Sequence, residues 1–248
     1  MIERIIESAI LNDFLRKKVI VLLGARQVGK TTLLESLRKK GQKVFSVNCD
    51  DMDDVLLIEE KTSTELRALL APYDLVFIDE AQRVKNIGLT LKKIGDLKLD
   101  TQVVVTGSSS LELADEVNEP ATGRLIEYRL FPFSLSELAA HTSEREEQRM
   151  LEQRLIYGLY PEVVTFPGDA KRTLMTLTNN YLYKDLFSYR GLKKPDVLQK
   201  LLRALALQLG NEVSYNELSN LLGVDKETIE NYINLLEKCF VVFRLDSF

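Results

Sequence analysis

Residues 19–34 read VIVLLGARQVGKTTLL. Val19 to Leu23 form an apolar run with no polar alternation, the composition of a short strand covered on both faces. Gly24 and Gly29 then bracket a tight turn, and TTLLESLRKK continues in helical spacing. Gly24, Gly29, Lys30 and Thr31 satisfy G-x-x-x-x-G-K-[ST] between a strand and a helix, the setting that gives this pattern its chemical meaning. Small residues let the backbone N–H groups of Gly24, Ala25, Arg26, Gln27, Val28 and Gly29 wrap phosphate oxygens at a helix N-terminus, where the dipole also favours negative charge. Lys30 is expected to neutralise the β- and γ-phosphates, Thr31 to place its hydroxyl on Mg2+, and Thr32 to reach the α-phosphate.

Outward from this stretch, short apolar runs recur between helical patterns: KVFSV at 43–47, LVFID at 75–79, QVVVT at 102–106 and LIEYRL at 125–130. Alternation of strands with helices implies a parallel sheet with right-handed crossovers, hence an α/β three-layer core. Strand signals stop after FPF at 131–133, which places a boundary near Pro132. The expected division is a core at 1–133, a helical lid at 134–210 and a helix-turn-helix segment at 211–248. In that last segment Leu218, Leu221 and Leu222 make one apolar stripe, and Ile229, Tyr232, Ile233 and Leu236 the next, around Gly223, with Asp225 as N-cap. The closing CFVVFRLDSF reads as a strand that starts and stops, as a winged helix would supply or a truncation would leave.

The 248 residues, 45% hydrophobic and 28% charged, can bury a sizeable core, and no apolar run approaches the roughly 18 residues of a membrane span. The helical spacing of MIERIIESAILNDF, with Glu3 and Glu7, argues against a leader peptide and for a cytoplasmic protein. Two cysteines, Cys49 and Cys239, and one histidine, His141, exclude a disulfide framework and a zinc site. A net charge of -4 gives no general attraction to nucleic acid.

LVFIDEAQ supplies the acids the loop needs. Asp79, at the end of a buried strand, is placed to hold Mg2+ through its water, and Glu80 to orient and polarise the water attacking the γ-phosphate; a helix cap and a surface acid are the plainer alternatives. Thr106 and Ser108, in VVVTGSSS, fall where a polar side chain could report on the γ-phosphate. Arg124 either delivers positive charge to the transition state, in cis or from a neighbouring subunit, or pairs with a surface acid.

GARQVGKTTLL, FIDEAQRV, VVTGSSS and GRLIEYRLFPFSLSEL, in this order, resemble the bacterial and archaeal AAA+-type P-loop ATPases that carry an uncharacterised C-terminal domain. YGLYPEVV at 157–164, YLYKDLF at 181–187 and the helix-turn-helix extend the resemblance along essentially the whole chain. It implies ATP and Mg2+ as ligands, an AAA+-like strand order 5-1-4-3-2 with the VVVT strand between those bearing Lys30 and Asp79, and a lysine, metal aspartate, catalytic glutamate and sensor at Lys30, Asp79, Glu80 and Ser108 or Thr106. It also implies that Arg124 sits where oligomeric relatives place a trans-acting arginine, and that relatives continue past the equivalent of Phe248, so that this chain looks shortened.

Two functions follow. One is an ATP hydrolase whose cycle moves the lid and helix-turn-helix on an unidentified protein client; no guanine-reading N-K-x-D is present. The other is a nucleotide-gated module that binds DNA or protein with little turnover. Glu227, Glu230 and Glu237 on the second helix would repel a phosphate backbone, leaving Lys193 and Lys194 as alternative DNA contacts.

Overall fold

The computed structural model describes residues 2–107, 123–179 and 194–245. The chain divides into two compact units, Met1–Leu174 and Met175–Phe248.

The first unit is built on five parallel strands, β1 (Val19–Leu23), β2 (Val44–Asn48), β3 (Leu75–Asp79), β4 (Gln102–Gly107) and β5 (Leu125–Arg129), in the order β2-β3-β4-β1-β5. The central strands β1 and β4 are buried along their whole length, which explains their continuous apolar runs. Between strands lie α2 (Lys30–Ser36), α3 (Met52–Ile58), α4 (Ser63–Leu70) and α5 (Ile87–Asp96), and α1 (Ile5–Asp13) precedes β1. Ile10 of α1, Ile20 and Leu22 of β1, Leu33, Leu34 and Leu37 around α2, and Val104 of β4 form one buried cluster. Thr62 and Glu65 start α4 with a capping box.

Pro132 lies inside this unit, which continues to Leu174. Strand signals end there, and the helices that follow, up to Leu174, fall in the same compact unit; Leu138 and Val163 are each 2% exposed, and Phe133 N–H donates to Leu159 O at 3.0 Å.

In the second unit, helices Pro195–Leu207, Tyr215–Leu222 and Lys226–Lys238 bury Leu198, Leu201, Leu218, Ile229, Tyr232, Ile233 and Leu236. Gly223, at φ 65°, ends the middle helix, and the Asp225 carboxylate accepts from Thr228 N–H at 2.7 Å to start the last. Two expectations fail here. Leu221 is 66% exposed, outside the stripe. The described residues 239–245 contain no strand. Phe240 turns left-handed at φ 58°, and Phe240 and Val241 N–H donate back to Glu237 and Leu236 carbonyls at 2.9 Å, closing the helix end and drawing the chain out of extended geometry.

Candidate nucleotide site

In a parallel sheet, ligands collect at the carboxyl edge of the strands. That edge carries Gly24 after β1, Asp79 ending β3, Thr106 near the end of β4 and Leu130 after β5.

Gly24 is fixed by contact. A Cβ at this position would stand 2.4 Å from the carbonyl oxygen of Leu130, whose own N–H donates to Leu23 O at 2.7 Å. The loop therefore leaves β1 pressed against the exit of β5, and only glycine fits. Gln27 and Gly29 take left-handed backbone, at φ 58° and 99°, which curls the chain into α2. Lys30, 5% exposed, points back along the loop, its Nζ donating to Gly24 O at 2.9 Å and Ala25 O at 3.0 Å. The ammonium is thus held inside the curl that the glycines create.

Thr31, in the first turn of α2, donates its hydroxyl to Asp79 Oδ2 at 2.9 Å. This contact joins two patterns 48 residues apart. The other carboxylate oxygen accepts from Thr106, whose hydroxyl in turn accepts from Glu80 N–H at 3.1 Å. Register explains the meeting: Ile78 pairs with Val105, so the next residues, Asp79 and Thr106, lie side by side. Thr106 is fully buried and its one proton goes to Asp79. It ties the aspartate to the start of the Glu80 turn. Glu80 itself sits at φ 54°, its carboxylate accepting from Gln82 Nε2. Left-handed backbone at a non-glycine residue is costly, by about 1–3 kcal/mol, and persists where neighbours fix it, commonly at functional sites.

Negative charge is concentrated here. Cys49 is buried behind the strand edge, its N–H donating to Asp79 O at 2.9 Å. Burial, then the carboxylates of Asp54, Asp79, Asp50 and Glu80, push its thiol up to about 12. Burial is the larger cause; the four carboxylates add to it and make this edge a concentration of negative charge. Among the described residues no group of three or more His, Cys, Asp or Glu side chains could hold a metal. A protein hydroxyl and one carboxylate, completed by phosphates and water, are what Mg2+ takes in such sites. Thr31 and Asp79 fit that set.

The structure brings Gly24 to Thr31, Asp79, Glu80 and Thr106 to one edge; Thr32 is exposed on the first turn of α2. Arg124 is elsewhere. Its carbonyl accepts from Val19 N–H, at the start of β1, so roughly 16 Å of strand separates it from the loop of its own chain. There it pairs with Asp96 and covers Gly95. Ser108, Lys193 and the 181–187 stretch lie outside the described residues.

Two residues at the loop were not anticipated. Arg4 donates from Nη1 to Val28 O at 3.2 Å, and Pro161 stands beside Gly29, its Cγ 3.9 Å from where a Cβ would be. Arg4 has no local signal; Pro161 lies within YGLYPEVV at 157–164, whose packing partner the sequence does not name.

A parallel five-stranded α/β sheet with this strand-loop-helix at its carboxyl edge has the architecture of P-loop ATPases. The sequence pattern described as the AAA domain matches residues 16–139, and the chain belongs to that family. Residues 148–248 match a domain of unknown function. An uncharacterized protein of Haemophilus influenzae is 25% identical over 264 residues, covering 95% of this chain and 63% of its own. One of Methanocaldococcus jannaschii is 25% identical over 256 residues, covering 93% and 57%. The chain thus spans about three-fifths of the length of these relatives. Among solved structures, the Walker-type ATPase PABY2304 of Pyrococcus abyssi superposes with a TM-score of 0.61 at 17% identity, covering 96% of this chain and 90% of that one. No helix among the described residues is long and apolar enough to cross a membrane.

Proposed function

We propose that the protein binds ATP with Mg2+ and hydrolyses the γ-phosphate. The observation that carries this reading is the 2.9 Å contact of Thr31 with Asp79, which unites the phosphate-loop pattern with the strand-end acid in one site. Lys30, held within the loop by the Gly24 and Ala25 carbonyls, moves onto phosphate oxygens, where an ionised donor meets an ionised acceptor. Bound Mg2+ supplies charge neutralisation between the phosphates. Thr31 and Asp79 would hold it, Asp79 being oriented by Thr106. Glu80, next to Asp79 on a turn fixed by the Thr106 hydroxyl, accepts a proton from the attacking water and aligns it. That PABY2304 is a Walker-type ATPase agrees with this reading.

Beyond the core, the nucleotide state is read out through the helical region after residue 134 and the helix pair at 215–238, acting on a protein client. Glu227 and Glu230, both exposed on the last helix, disfavour DNA as that client. Arg124, remote from its own loop, serves hydrolysis only if presented to a neighbouring subunit. The alternative, a nucleotide-gated binding module with little turnover, keeps the same site and removes the role of Glu80. Phosphate release measured without any acceptor separates the two: the hydrolase releases phosphate in proportion to time and stops on Lys30→Ala, whereas stoichiometric binding without release would leave the gated module.

A further inference from the structure

Arg4 lies 24 residues before Val28 and 133 before Glu137, yet contacts both. Its Nε donates to Glu137 Oε1 at 3.1 Å, Nη1 to Val28 O at 3.2 Å and Nη2 to Phe131 O. The guanidinium lies over the Phe133 ring, 4.7 Å from its centroid. The Arg4 and Glu137 side chains are only 9% and 6% exposed. Glu137 is also fully engaged: Oε1 accepts from Ile5 N–H at 2.9 Å and Oε2 from Ser134 N–H at 2.8 Å. One carboxylate thus caps the first turn of α1, closes the capping box of the helix Leu135–His141 and orients Arg4.

Val28 is anchored twice. Its side chain is fully buried in the core cluster, and its carbonyl is held by Arg4. In a trans peptide the following N–H points opposite to the carbonyl. Fixing Val28 O toward Arg4 therefore directs Gly29 N–H to the other face of that peptide. Gly29 has left-handed backbone, where glycine explores more conformations than any other residue, so this peptide has most to gain from an external hold.

We propose that Arg4, gripped by Glu137 and Phe133, is a positioning residue that sets the Val28–Gly29 peptide of the phosphate loop, making triphosphate affinity depend on the segment before α1. The inference deepens the proposed ATP site and rests on it. Lysine cannot replace the fork, because one ammonium at the end of a flexible stem cannot span three acceptors in a fixed plane.

The same unit contains its own control. Arg154 pairs with Glu147 through two bonds of 3.0 and 3.1 Å at 10% and 7% exposure, and among the described residues it makes no hydrogen bond to the loop. Arg4→Lys and Arg154→Lys are compared in two measurements, amide exchange at residues 27–30 without nucleotide and titration with fluorescent ATP and Mg2+. Arg4→Lys is expected to speed exchange at Gly29 and Lys30 and to weaken ATP about tenfold, the scale of one charge-assisted hydrogen bond. Arg154→Lys changes neither, whatever it does to the melting temperature. Unchanged exchange in Arg4→Lys overturns the inference, as does faster exchange with parental affinity, or an equal effect of Arg154→Lys. If the parental protein binds no ATP, the nucleotide proposal fails and the exchange comparison alone decides the positioning role. Should Arg4→Lys not fold, Glu137→Asp, which withdraws the carboxylate by one methylene, is read in the same way.

Discussion

Gly24→Ala is the sharpest test of how the loop is held. The added Cβ meets Leu130 O at 2.4 Å and Val28 Cγ1 at 3.1 Å, where real Cβ contacts essentially never fall below 3.0 Å. Either the loop or the β5 exit must give by at least 0.6 Å. Neither yields easily, since the offending atom is backbone and Leu130 N–H is tied to Leu23 O at 2.7 Å. Overpacking of this kind costs about 1–3 kcal/mol, read as a lowered midpoint in urea unfolding. The displaced loop would also lose ATP, since its N–H groups must converge on phosphate. Gly168→Ala supplies the comparison: no atom lies within 4 Å of its Cβ, so its unfolding should stay within about 0.5 kcal/mol of the parent. A Gly24→Ala protein with parental stability and parental ATP affinity would refute the close-approach argument.

Glu80→Gln should keep nucleotide binding and lower turnover by about 100-fold or more, since the amide cannot take the water's proton; single-turnover phosphate release reads this directly. Arg124→Ala should leave ATP affinity unchanged at every protein concentration, because the side chain lies at the far end of β5; a concentration-dependent loss of turnover alone would mark a role in trans. Iodoacetamide applied to the native protein at mildly alkaline pH should label Cys239 and spare Cys49, as peptide mass spectrometry would show. Because the Cys49 thiol is raised from 9.0 to about 12 on folding, its contribution to stability is full below pH 9 and is lost as pH rises toward 12. Cys49→Ala should therefore flatten the decline in unfolding free energy across that window.

Much of the first unit is legible in the chain itself. Each of the five apolar runs becomes a strand within about a residue of its expected position; β1, β3 and β4 are buried nearly throughout and need apolar composition on both faces, whereas the edge strands β2 and β5 are only partly covered. Asp79 ends its strand as LVFID suggests, since a carboxylate would be poorly placed any deeper. What local pattern cannot carry is who meets whom. Thr106 becomes the partner of Asp79 through strand register, and Arg4 reaches Glu137 across 133 residues. The capping box that Ser134 and Glu137 form is local, but that its glutamate also grips an arginine is not. Leu221 shows the limit of a helical stripe: the 3.6 period gives a face, and the neighbours available decide how wide a face is covered. The terminal VVF has strand propensity and no partner strand among the described residues, and a lone strand is not stable.

The central claim is that the loop at Gly24–Thr31 and the carboxylate of Asp79 make one Mg2+-dependent triphosphate site. Calorimetric titration of ATP into the folded protein, with and without Mg2+, tests it most directly. Saturable binding of one ATP per chain that weakens strongly without Mg2+, and loses that dependence in Asp79→Asn, is the predicted result. Absence of saturable binding, or binding indifferent to both Mg2+ and Asp79→Asn, would contradict it.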